Sequence, residues 1–390
     1  MRYRDSIFGQ LLKPLSRRSL GTLAAVHKAE AYDKSFRCWD HLVAMIFAQL
    51  ADAGSLRDLE AAWNANSHHH YHLGSGRLAR TTLADANRRR PPEVFAGIFA
   101  KLSAEADRSL RREGWEMVRI IDSSPIPLSQ AAALRSWNGR IKGAKLHVVF
   151  EPGTRRPCQV DITPANVNDI EMAKTIAITK SMTYVFDKGY CSYAWWTKLH
   201  ENGAFFVTRQ KKNVRTRTVR KRQLDGEQDE HAGGFRILAD ADIEVVSKSN
   251  AVLDIPLRRI RLQRACGGRL TLVTNDLERP ASEIAALYKS RWQIELLFRW
   301  LKQNLNLKTF LGRSENAIKL QILAAMIAYL LLRLAARSSA SQHEHIRFAE
   351  LVGRTLFVRK PMSRIDKPPE VNPSKPKSKP FNGQMEMRYA

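Results

Sequence analysis

MVRIID, residues 117–122, ends a long helical texture and opens a series of short strands. KLHVVFEP (145–152), PCQVDITP (157–164), MTYVFD (182–187) and AFFVTR (204–209) follow, each rich in Val, Ile or Phe as a half-buried strand requires. Turn-forming segments such as Glu151-Pro-Gly-Thr154 join the first three, which predicts an antiparallel meander. NDIEMAKTIAIT precedes the fourth run, and SYAWWTKLHENG separates the fourth from the fifth; both read as helices, the second stopped by Gly203. Three strands, helix, strand, helix, strand make a mixed α/β sheet with helices packed on it.

Upstream, residues 1–108 show almost no strand pattern. Apolar residues at helical spacing mark His41–Ala53, Leu56–Asn64 behind a Ser55 cap, and Pro92–Ala106. Between them a Gly74-Ser75-Gly76 turn leads to a short helix from about Thr81 that ends in Arg88, Arg89 and Arg90. A basic helix after a turn suits a DNA groove, so an all-helical DNA-binding domain is expected over 1–108. A solvated basic face gives the same composition without a specific site. His68, His69, His70 and His72 cluster without Cys or Glu, which fits a polar loop better than a metal site.

Downstream, the mixed α/β core is expected over 109–355, interrupted at 210–280 by a β-rich insertion. That insertion opens with KKNVRTRTVRKR, seven basic residues in twelve positions, among which Lys211, Lys212, Arg215 and Arg217 are candidate phosphate contacts. Six Pro residues and repeated Lys-Pro between Pro361 and Pro380 predict a flexible basic tail over 356–390.

Sixty-four Lys and Arg against thirty-eight Asp and Glu leave a formal charge of +26, so the surface repels itself unless a polyanion covers part of it. Double-stranded DNA is the first candidate. Four scattered Cys without CxxC spacing argue against a zinc knuckle or disulfide framework and for a reducing, cytoplasmic setting. The longest apolar run, near Ile322–Leu334, carries Arg333 and is short for a bilayer, so no membrane partner is expected.

Asp122 closes the first strand-like run and Asp187 the fourth. Carboxylates at adjacent strand ends are rigid yet solvent-facing, and hard oxygen ligands of this kind suit Mg²⁺, although an Asp that merely opens a turn reads the same way singly. YKSRWQIELLFRWLKQ (288–303) supplies a third acid. With Tyr288 at zero and about 100° per residue, Arg291, Glu295 and Lys302 share an arc of roughly 60° with it. Leu287, Ile294, Leu297, Phe298, Leu301 and Leu305 form the neighbouring apolar stripe. An ordinary Arg–Glu pair on an exposed helix is the plainer reading of that row.

Asp122, Asp187 and Glu295, together with the Tyr288-x2-Arg291-x3-Glu295-x6-Lys302 signature and the DKGY at Asp187–Tyr190, resemble the DDE transposases of bacterial insertion sequences, of the insertion-sequence-four type. The likeness covers nearly the whole chain and implies an RNase H-like core. It implies binding of terminal inverted repeats and target DNA, two-metal phosphoryl transfer with Mg²⁺ or Mn²⁺ on the three acids, and a homodimeric synaptic complex at the bacterial nucleoid. Tyr288, Arg291 and Lys302 would then grip phosphates. Some relatives cut through a hairpin whose flipped base stacks on an aromatic; residues 210–287 offer only Phe235, and Trp292 falls off the row, in a position suited to partial burial. Two other readings are a catalytically decayed DNA-binding regulator, which should lack one of the acids, and a structure-specific RNase H-like nuclease.

Overall fold

The computed structural model describes residues 5–31, 33, 35–110, 117–128, 143–211, 214–224, 234–246, 253–265, 267–305 and 309–367. Seven helices come first: α1 (Ile7–Leu11), α2 (Arg17–Val26), α3 (Cys38–Leu50), α4 (Leu56–Ala65), α5 (His70–Leu73), α6 (Arg80–Arg89) and α7 (Glu93–Leu110). Ser55 caps α4 as its sequence position requires, its hydroxyl accepting from the Asp58 amide at 3.1 Å. Neither α1 nor α2 has a long apolar stripe, and the sequence reading misses both. Two of the four clustered histidines, His69 and His70, belong to the core, while His68 and His72 are exposed. His70 stacks on Trp63 at 4.5 Å and bonds its carbonyl, while His69 stacks on Phe357 at 5.1 Å.

The strands are β1 (Val118–Pro127), β2 (Gly143–Glu151), β3 (Arg156–Pro164), β4 (Thr183–Phe186), β5 (Phe205–Arg209), β6 (Arg215–Lys221), β7 (Phe235–Val246), β8 (Leu257–Arg264) and β9 (Arg269–Thr274). They form one mixed sheet in the order β3-β2-β1-β4-β5-β9-β8-β7-β6. The β1–β2–β3 meander is antiparallel, and β4 lies parallel to both β1 and β5. Helices α8 (Asp169–Ala173) and α9 (Tyr193–Glu201) make the crossovers into β4 and β5. The segment at 210–280 is a continuation of this sheet rather than a module set into it: β9 pairs antiparallel with β5, and β8, β7 and β6 follow outward.

Alternation along the central strands divides the core into two layers. Ile120, Val185 and Val207 face the cluster that contains the helices after β9; Ile121, Phe186 and Phe206 face the opposite cluster, around Trp195 and Trp196 of α9. After β9 the chain forms α10 (Ala281–Ser290), α11 (Trp292–Asn304), α12 (Glu315–Ser338) and α13 (His345–Thr355). Among the described residues α12 alone is long and apolar enough to cross a bilayer, yet its apolar side chains are buried within the fold against α3, α6 and α7.

Two expectations need correction here. Residues 1–108 do not close a core of their own, because α12 supplies part of it and one apolar cluster runs through both parts. The flexible tail does not begin at 356. Leu356, Met362 and Ile365 are buried, Phe357 packs on Phe47 at 5.5 Å, and the Ile7 and Phe8 amides donate to the Val358 and Leu356 carbonyls. The Pro/Lys-rich stretch from 368 onward lies outside the described residues.

Candidate active site

β1 and β4 run in parallel register only as far as Ile121 opposite Phe186. Asp187 therefore follows the last residue of β4. Asp122 does not close its strand as the sequence suggested; β1 continues to Pro127, held by β2, and Asp122 is the first residue to outrun β4. Two-residue alternation puts Asp122 on the side of Ile120, and Asp187 on the side of Val185, so both carboxylates belong to the face on which α11 packs.

Helices α10 and α11 are separated by Arg291 alone, whose φ of −53° and ψ of −29° keep the helical course. The row on the helical wheel consequently survives. Tyr288 donates from its hydroxyl to Asp187 Oδ1 at 3.4 Å, Arg291 donates to Asp122 Oδ2 at 3.0 Å and Glu295 Oε1 at 2.5 Å, and Lys302 Nζ donates to Ser124 Oγ at 2.7 Å. The apolar stripe of Leu287, Ile294, Leu297, Phe298, Leu301 and Leu305 is buried, which fixes the helix against the sheet and aims the row. Trp292, expected to be partly buried, is instead 56% exposed.

Electrostatics set Asp122 apart. Burial pushes its carboxyl up to about 6, and the nearby charges of Glu295 and Asp187 push the same way; the Ser123 amide, bonded at 2.9 Å, and the Arg291 guanidinium oppose them. Burial also raises the Tyr288 phenol to about 12 and lowers the Lys302 ammonium. Arg291 thus sits between two acids as the one cation they share, rather than standing open to solvent. Asp187 has Arg209 at 3.8 Å.

Among the described residues no three His, Cys, Asp or Glu side chains are gathered tightly enough to cage a metal ion. A Mg²⁺ site does not require that, since this ion keeps waters and substrate phosphates around one or two carboxylates. Asp122, Asp187 and Glu295 are all-oxygen donors, and a cation beside the buried Asp122 carboxyl would favour its ionised form. The residues fit a divalent ion.

The opposite face of β1 carries polar groups that sequence reasoning missed. Asp169 at the start of α8 accepts from Ser123 at 2.8 Å and Lys145 at 3.0 Å, with His147 at 3.9 Å and buried Tyr190 close by. Lys145, His147 and Ser123 are cross-strand neighbours, a relation that only the β1–β2 register reveals.

The candidate DNA contacts are scattered. Arg88 and Arg89 are exposed on α6 and pair with Asp85 at 2.8 and 2.6 Å. Arg90 is removed from that set: it is 3% exposed, paired with Asp33 at 2.6 Å, donating to the Arg37 carbonyl and stacked over Phe36. Lys211 is exposed, and its ammonium reaches the Cys191 carbonyl at 3.2 Å. Arg215 and Arg217 lie exposed on β6, the outermost strand, with Arg217 paired to Glu244. Five strand spacings separate β6 from β4, on the order of 25 Å, so these arginines are remote from the acids. Lys212 lies outside the described residues. Cys38, Cys158 and Cys191 are free thiols.

Comparison with known proteins decides the family. The model of the transposase DDE domain matches residues 115–331, more than half of the chain. The chain belongs to the DDE transposase family. A Sinorhizobium fredii protein named as a transposase is 50% identical over 79% of this chain and 85% of its own length. Proteins named as transposases of insertion sequence elements in Geobacillus stearothermophilus and Synechocystis are 26% and 27% identical over 67% and 65% of the chain, and 68% and 71% of theirs. Residues 3–75 of the transposase match a domain of unknown function, DUF4372. A piggyBac transposase in a synaptic complex with hairpin DNA aligns over 95% of the chain and 81% of its own, at 10% identity and a TM-score of 0.45. The transposase is thus an enzyme acting on DNA, with a large mixed sheet and flanking helices.

Proposed function

We propose that Asp122, Asp187 and Glu295 are the catalytic acids of an RNase H-like core that cuts and joins DNA at the terminal inverted repeats of its own insertion sequence. The observation that carries this reading is Arg291, which forks to Asp122 on β1 and to Glu295 on α11 while Tyr288 holds Asp187 at the end of β4. Three separate segments of the chain are tied at the one place where parallel pairing stops.

Divalent metal held by the three carboxylates would supply Lewis-acid activation of the attacking hydroxyl and stabilisation of the leaving oxygen. The chain's own residues do the rest. Asp122, ionised above about pH 6, lies 3.0 Å from Arg291. The Arg291 guanidinium, held between Asp122 and Glu295, can present its planar fork to a phosphate, where two parallel N–H donors fix orientation. Lys302, anchored on Ser124 two residues beyond Asp122, places a second positive charge beside the same strand. Tyr288 positions Asp187 through its hydroxyl, and the apolar stripe excludes water behind the row. Positioning and charge stabilisation of this kind dominate phosphoryl transfer.

End recognition is assigned to the helical part, with Arg88 and Arg89 as candidate contacts, and Arg215 and Arg217 on β6 to sequence-independent binding of flanking or target DNA. The synaptic complex is proposed to hold two copies, one per element end, in the bacterial cytoplasm at the nucleoid. The test is incubation of purified full-length protein with DNA carrying the element's ends, with Mg²⁺, with Mn²⁺ or with EDTA. Strand breaks at the ends that require the metal and vanish in Asp187→Ala support the reading. Metal-independent cutting, or normal cutting by Asp187→Ala, overturns it.

A further inference from the structure

Another face of α10 and α11, turned away from the acids, borders a cavity of about 880 Å³ closed by the β2–β3 turn, the end of α12 and the start of α13. Its size is that of a pocket for a nucleotide-sized ligand rather than for a lone ion. Three arginines, Arg155, Arg333 and Arg337, line it against one acid, Glu283. His343 also lines it and has Asp366 at 3.5 Å. Arg333 donates one Nη to the Thr154 carbonyl, but its buried Nε has no hydrogen-bond partner. Gln293 Oε1 and both ring nitrogens of His345 are likewise buried at this wall without partners. Three arginines against one acid leave the cavity wall short of negative charge, which an anionic ligand supplies.

We propose that this cavity binds a nucleotide, its phosphate held by Arg155, Arg333 and Arg337 and its base or sugar lying on the wall of Val118, Leu287 and Gln293. Burial holds the Arg333 guanidinium below its ordinary pKa, so an anion beside it stabilises its charge. The nucleotide can be a free one or a unit of a DNA strand. This site stands apart from the carboxylates and does not depend on their role.

Two measurements on the full-length protein separate the sources. Equilibrium dialysis with radiolabelled ATP in 0.3 M KCl reads the free nucleotide, with salt suppressing non-specific attraction. Crosslinking from p-benzoylphenylalanine at exposed Ala286, on the cavity wall, to a labelled duplex reads a strand. At least one is expected to be positive and saturable. It should weaken about tenfold or more in Arg337→Glu and in Gln293→Leu, and stay unchanged in Lys198→Glu, at an exposed lysine of α9 on the other side of the sheet. Arg337 is exposed, so Arg337→Glu keeps the fold, which thermal melting checks. Two negative arms, or losses no greater in the cavity variants than in Lys198→Glu, overturn the proposal.

Discussion

Strand β7 and the junction of β1 with α11 treat their acids in opposite ways. On β7 every acid has arginine of its own: Asp240 with Arg258, Asp242 with Arg220 and Arg222, Glu244 with Arg217. At the junction Asp122 and Glu295 divide a single Arg291, and burial leaves Asp122 reluctant to ionise. An acid that is part of a scaffold is neutralised locally, whereas an acid kept for chemistry is left short of positive charge. The distinction lies in the partner and not in the strand, since Asp122, like Asp240 and Asp242, sits on well-paired β-structure.

The comparison breaks first at catalysis. Alanine at Asp122, Asp187 or Glu295 is expected to reduce end cleavage roughly 1000-fold while DNA binding persists, since an electrostatic contribution of this kind is lost outright. Asp242→Ala is expected to cut nearly normally. Gel assays of cleavage and binding on the same preparations decide it, and equal losses at Asp242 and Asp122 would erase the difference between the two regions.

Stability tests the other side. Asp240 and Arg258 are each 4% exposed at the side chain, and Arg258 also donates to the Arg279 carbonyl. Removing one partner strands a buried charge, so Asp240→Ala is expected to cost about 3–5 kcal/mol in urea unfolding. Asp187→Ala, at a half-exposed acid, is expected to cost under about 1 kcal/mol. A cost near zero for Asp240→Ala would mean that its arginine is not structural.

A smaller effect is expected at the shared arginine. Arg291→Lys keeps the charge and loses the fork, so single-turnover cleavage is expected to fall about tenfold with little change in melting temperature. Lys302→Arg keeps a cation near Ser124 and is expected to be milder. Cleavage unchanged in Arg291→Lys, or activity and melting temperature collapsing together, would make the row a structural ion-pair face.

The smallest effect is thermal. Because the folded carboxyl of Asp122 is raised to about 6 from an ordinary value near 3.8, its contribution to stability is fully present below about pH 4 and is lost as pH rises through 6. A divalent cation binds the ionised form. Mg²⁺ is therefore expected to raise the melting temperature by a few degrees at pH 8 and by less at pH 5, with the difference gone in Asp122→Asn. Equal gains at both pH values would remove Asp122 from the metal site.

What the sequence disclosed follows the range of its signals. Periodicity is local, so β1 to β5, their crossovers and the Tyr288–Lys302 row were legible, down to which helix face is apolar. Partners distant in sequence were not. Nothing in RRR at 88–90 says that Arg90 turns inward to Asp33, and nothing in Pro-rich composition says that Phe357 fills a gap beside Phe47 and Trp63. Asp122 was placed at a strand end because Ser123, Ser124 and Pro125 look like a turn. Pairing with β2 carries the strand through them. The joining of 210–280 to the main sheet rests on three residue pairs between β5 and β9, a contact without any compositional trace.

Helix α12 carries one last consequence. It follows the catalytic row in the chain, yet its side chains complete the core of the helices that precede the sheet. The helical part proposed to recognise DNA and the part proposed to cut it could have been joined by a tether and exchanged between elements like cassettes. Here the first half cannot be transplanted without the helix that the second half supplies. Lineages of such an element are expected to change the ends they accept by point substitution in place, and recombinants that swap only the first hundred residues are expected to be inherited as dead copies.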